Sequence, residues 1–140
     1  MDLVSVPERK KFYAVAAEAL AYGFIVDSSN GQLKQEFAPG TMGTVVEIDA
    51  DTKQVVRTFA VGAGPRTVVY DAAHGRLIVV NSGLTLGSER TLSLIDLATG
   101  TVTAQKLPGF VDFQRPQSAV LVGGFLYLTD YVSQVVKLDL

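Results

Sequence analysis

The chain has 140 residues, 48% apolar and 19% charged, with a formal net charge of −2 and no cysteine. That length suits one domain with a buried core, and the near-neutral charge gives no electrostatic case for nucleic acid or an anionic membrane as partner. Lack of cysteine excludes disulfides, thiolate nucleophiles and cysteine-type zinc sites, and no apolar run approaches the ~20 residues a membrane-crossing helix needs.

In chain order, Met1-Asp2-Leu3-Val4-Ser5-Val6-Pro7-Glu8-Arg9-Lys10-Lys11 has no basic stretch ahead of an apolar one. It does not read as a signal peptide, and the compartment stays open. Leu3-Val4-Ser5-Val6 and Phe12-Tyr13-Ala14-Val15 are short apolar runs across a polar turn, which is strand chemistry. A third run, Val45-Val46-Glu47-Ile48-Asp49, follows, and Val55-Val56 begins a fourth. The next unit offers four strands, at residues 67–71, 76–81, 91–96 and 102–106. A last unit offers three, at residues 118–122, 125–130 and 134–139. In each unit the third run ends in an aliphatic residue and an aspartate: Asp49, Asp96 and Asp139. In the turns Asp49-Ala50-Asp51-Thr52 and Asp96-Leu97-Ala98-Thr99-Gly100, the aspartate is placed to cap the following amides, and Gly100 to supply a positive φ at the exit. Those aspartates are read as structural.

The first unit departs from the pattern between Val15 and Thr44. Ala16-Ala17-Glu18-Ala19-Leu20-Ala21 reads as a helical turn or as the strand running on. Phe24-Ile25-Val26 reads as a short strand, and Asn30-Gly31 ahead of Gln32-Leu33-Lys34-Gln35-Glu36-Phe37 is a strong hairpin signal. An inserted hairpin or loop over residues 16–43 is expected, closed by Pro39-Gly40. As a calcium loop counted from Asp27, the segment fails: Gln32 stands where glycine is needed and Ala38 where a bidentate glutamate is needed.

Several short strands per unit, repeating at a period inside ~40–50 residues, mark a β-propeller blade. The motifs agree. Thr44-Val45-Val46-Glu47-Ile48-Asp49, Val61-Gly62-Ala63-Gly64-Pro65, Thr67-Val68-Val69-Tyr70 and Arg76-Leu77-Ile78-Val79-Val80-Asn81 resemble a YVTN-type propeller repeat. Arg115-Pro116-Gln117 with Leu126-Tyr127-Leu128-Thr129-Asp130 resembles an NHL repeat. The expected fold is all-β, a β-propeller fragment of about three four-stranded antiparallel blades with the last incomplete. Residues 1–140 are read as one partial propeller domain, with blade one at 1–62, blade two at 63–107 and blade three at 108–140. Closed propellers use about 4–8 blades. The chain is therefore expected to need partners, either remaining blades or a second copy of itself.

Propellers host scaffolds and enzymes alike, so chemistry must be argued from residues. Lone His74, in the turn Asp71-Ala72-Ala73-His74-Gly75, has neither the convergent ligands of a metal site nor the nucleophile of a triad. Arg66 and Arg115 each flank a proline that opens an innermost strand, and aligning the prolines sets Arg66 opposite Gln117. In a propeller that position lies at the mouth of the central channel, where guanidinium groups favour a carboxylate or phosphate. The dull alternative is that each arginine bonds carbonyls of a neighbouring blade. The innermost strands and their edges offer Asp2, Asp71, Arg66, Arg115 and Gln117, without histidine, which favours binding over catalysis. The expected function is thus a non-catalytic binding or scaffold module for a protein or small anionic ligand, with no cofactor or metal. The alternative is part of a lactonase-like hydrolase or lyase.

Overall fold

The structure is a computed structural model that describes residues 2–16, 25–26, 33–34, 43–83, 90–109, 115–130 and 134–140. The described chain is all-β apart from a single 3-10 turn. β1 (Asp2–Val6) and β2 (Lys11–Ala16) are joined by that turn, Pro7–Arg9. A small pair, β3 (Ile25–Val26) and β4 (Leu33–Lys34), precedes β5 (Gly43–Asp49) and β6 (Val55–Val61). The first sheet runs β1-β2-β5-β6, with every neighbour antiparallel. The second sheet follows chain order through β7 (Pro65–Asp71), β8 (Arg76–Asn81), β9 (Thr91–Asp96) and β10 (Val102–Lys106). The third has three strands, β11 (Pro116–Val122), β12 (Phe125–Asp130) and β13 (Val135–Asp139).

Successive side chains of a strand point to opposite faces, so burial reads out which faces are covered. On β8, Leu77, Ile78, Val79 and Val80 are all 0% exposed. Leu77 and Val79 enter a core shared with Tyr13, Val15, Val45 and Phe59 of the first sheet. Ile78 and Val80 enter a second core with Leu126 and Leu128 of the third. The second sheet is therefore sandwiched, which is why β8 is an unbroken aliphatic run rather than an alternating one. In β12, covered on one face, buried Leu126 and Leu128 alternate with less buried Phe125, Tyr127 and Thr129. β7 lies against both β1 and β11, and β6 approaches β10, so the sheets stack with their first strands on one side.

The turns are locally encoded. Asp49 Oδ1 accepts from the Asp51 and Thr52 amides at 3.0 and 2.8 Å, and Asp96 Oδ1 accepts from the Ala98 and Thr99 amides, both at 2.8 Å. A hydrogen bond from Lys11, then the Thr52 amide, holds the Asp49 carboxyl below the usual carboxylate range. Gly100 takes φ 78°, and Lys53 takes the same place in the first turn at φ 62°, where a side chain is strained.

β3 and β4 pair antiparallel, Ile25 with Lys34 and Val26 with Leu33. The Asn30-Gly31 turn, the Ala17–Ala21 stretch and the Asp27–Gln32 segment considered for calcium lie outside the described residues.

The outer faces of the first and third sheets stay open. Leu3 and Val55 are 55% and 59% exposed on one, and Val120, Val122 and Val135 are 52%, 57% and 67% exposed on the other. Leu138 packs against the second core. It pairs with Leu126 and so shares its inward face, whereas Val135 and Lys137 alternate outward.

Candidate functional site

The starts of β7 and β11 are built alike. Each begins with a proline, tolerated at the first residue of a strand because no ladder donor is needed there. Each then carries a register shift, between Pro65 and Thr67 and between Pro116 and Ser118. Arg66 and Gln117 are the extra residues of these two bulges. An extra residue falls out of the pleat, so a bulge re-aims one side chain without moving the rest of the strand.

Arg66 is held from behind. Its Nε donates to Ser82 Oγ at 3.3 Å, and that hydroxyl donates to the Gly64 carbonyl at 3.1 Å. The same carbonyl accepts the Ser82 amide at 3.0 Å, while the Gly83 amide bonds the Ala63 carbonyl, also at 3.0 Å. Gly64 sits at φ 62°, and a Cβ there would lie 2.5 Å from the Gly83 carbonyl oxygen, so only glycine permits this approach. Gln117 Nε2 donates to the Arg115 carbonyl at 3.4 Å. Arg115 itself lies ahead of β11 rather than in it. Among the described residues no hydrogen bond joins Arg66 to Arg115 or Gln117. Arg66 and Gln117 thus share an equivalent position on neighbouring first strands, and Arg115 is offset by one residue from its proline.

Asp2 is committed elsewhere. Its Oδ2 accepts from Thr67 Oγ1 at 2.6 Å and from the Val68 amide at 3.0 Å, tying the start of β1 to the start of β7. Just inside lies a buried polar cluster. Asn81 Nδ2 donates to Thr91 Oγ1 and Ser93 Oγ at 3.1 and 2.9 Å, and Ser93 Oγ also accepts the Gly62 amide at 3.1 Å.

The other end of β7 holds a group that sequence reasoning missed. Asp71 is 4% exposed, and its Oδ2 accepts from Arg76 Nε at 2.8 Å and lies 2.8 Å from His74 Nδ1. Burial pushes the Asp71 carboxyl up, but the Arg76 and His74 hydrogen bonds and charges outweigh it and hold its pKa below the ordinary value. His74 and Arg76 line a cleft of about 400 Å³ with Leu94, Asp96, Thr99, Thr101 and Thr103. The signal was present as Asp-x-x-His-x-Arg across a tight turn; His74 is exposed, as a turn position suggests, but the turn alone did not show that its Nδ1 meets Asp71. For nucleophilic chemistry the cleft lacks a hydroxyl bonded to His74 among the described residues. Thr99 Oγ1 is 3.0 Å from Thr101 Oγ1 and accepts the Thr101 amide, which engages it within its own turn. No group of three metal-ligating side chains comes together among the described residues.

No protein-family model matches the chain, and no curated protein is similar to it.

Proposed function

We propose that the three sheets are consecutive blades of a β-propeller of the YVTN or NHL kind, and that the chain is a non-catalytic binding or scaffold module. The observation that carries the proposal is the recurring bulge, which puts Arg66 and Gln117 at the same step of two adjacent first strands. In a propeller those strands line the channel, and a guanidinium with an amide at its mouth suits a carboxylate or phosphate. The excursion at residues 16–43 offers a second surface, toward a protein.

The test is calorimetric titration of the full chain with inorganic phosphate and a dicarboxylate. Arg66→Ala and Arg115→Ala should each weaken binding by about 1.5–3 kcal/mol, the range for hydrogen bonds to charged groups. Arg66→Lys keeps the charge and loses the planar fork, so it should recover only part of that. Alanine variants that bind as well as the parent while melting lower would make Arg66 a tie to Ser82 and end the anion reading.

A second reading, part of a propeller hydrolase or lyase, is favoured by one observation: the His74–Asp71 pair opens onto a cleft. Lactone or ester turnover abolished by His74→Ala would move the assignment there.

A further inference from the structure

The register shows that the sheets follow one another with a fixed polarity. In the first sheet the cross-strand row Val4, Tyr13, Glu47 faces the second sheet. Its equivalent in the second sheet, Val69, Ile78, Leu94, faces the third. In the third sheet the equivalent row is Val120, Tyr127, Lys137, and it faces outward. The receiving side is equally regular. Tyr70, Leu77, Ile95 and Val102 of the second sheet receive the first. Leu126 and Leu138 of the third sheet, the latter aligned with Ile95, receive the second. The equivalent row of the first sheet, Ser5, Phe12, Ile48 and Val55, has no other sheet on it among the described residues, only the Lys53 ammonium 5.9 Å from the centre of the Phe12 ring. Together with the neighbouring row Leu3, Ala14, Val46 and Thr58, it contains no charged side chain.

The described sheets therefore leave open one donating face and one receiving face of the kind that already pack together twice among them. We infer that a second copy of this chain docks head to tail, the open face of the third sheet of one on the open face of the first sheet of the other. A face that pairs only with its opposite kind gives a heterologous contact, and such a contact either closes into a ring or runs on as a filament. The three described four- and three-stranded sheets from each copy of this chain together make six, inside the about 4–8 blades that close propellers, so a two-fold pair is the expected product. Ring closure rests on the propeller reading. The head-to-tail contact rests only on the stacking of the sheets.

Sedimentation velocity of the full chain, with Val120→Lys and Leu3→Lys variants, tests this. Both positions are more than half exposed, so the fold should survive, which far-UV circular dichroism and the urea midpoint check. The parent should sediment as a dimer and each variant as a monomer. Mixing the two variants should restore a dimer, because the intact third sheet of Leu3→Lys meets the intact first sheet of Val120→Lys. A parent that stays monomeric at all concentrations overturns the proposal, as expected if further blades are the natural occupant. Loss of association in Val120→Lys alone overturns it too, since that means self-pairing of the third sheet. A concentration-dependent ladder of larger species overturns closure and the propeller reading while leaving the contact in place.

Discussion

Leu77 and Ile78 are neighbours in sequence and lie in different cores, one on each face of the second sheet. Replacing either with alanine removes three carbons from a fully buried side chain. The transfer contribution alone is about 2.5 kcal/mol, at about 0.8 kcal/mol per carbon. Incomplete collapse around the cavity raises the expected loss to about 3–4 kcal/mol. The two side chains point to opposite faces and share no core, so Leu77→Ala and Ile78→Ala together should cost the sum of the singles to within about 0.5 kcal/mol. Urea unfolding followed by circular dichroism measures all three differences. An unstacked sheet would leave one face in water, and one of the single variants would then cost less than about 1 kcal/mol. That outcome would refute the sandwich.

A Cβ on Gly62 would lie 2.6 Å from both Asn81 Nδ2 and Thr91 Oγ1, so Gly62→Ala should cost about 1–3 kcal/mol in thermal unfolding by overpacking the buried polar cluster. Lys53→Gly, which relieves a left-handed residue at φ 62° in the first turn, should raise stability by about 0.5 kcal/mol, and a drop in melting temperature would contradict the turn assignment. The Asp71 carboxyl titrates lower in the folded chain than in the unfolded one, so its contribution is full above about pH 4 and is lost as pH falls through the lowered folded value. Asp71→Asn should therefore flatten the acid limb of the stability curve and cost about 1.5–3 kcal/mol near neutrality. An unchanged acid limb would show that the carboxylate is not held as described.

The strands were legible because alternation and turn chemistry are local properties. Asp49 and Asp96 could be assigned to their turns from sequence, since each caps amides two and three residues on. Side-chain direction was less legible. Leu138 and Val135 look alike in sequence, and only the pairing with β12 shows that one is covered and the other open. At the starts of β7 and β11 the prolines were read as opening the innermost strands, while the strands themselves were expected at residues 67–71 and 118–122. A proline can open a strand, and the register shift that follows is decided by the partner strand. The Asp71, His74 and Arg76 group needed the geometry of a folded turn to bring two side chains onto one carboxylate oxygen.

The second sheet is drawn from a compact stretch of chain, with residues 82–90 linking β8 to β9, whereas residues 17–42 separate β2 from β5. In the unfolded chain the longer link, roughly three times the shorter, costs about 0.9 kcal/mol more to close. The second sheet should consequently organise before the first, and since one of its faces is what the first sheet buries, it becomes the surface on which the first condenses. Refolding speed should then respond to changes in β8, while changes in β5 and β6 should act chiefly on the rate of unfolding. By the same ordering, lengthening the link between β2 and β5 should delay closure of the first sheet and leave the second untouched.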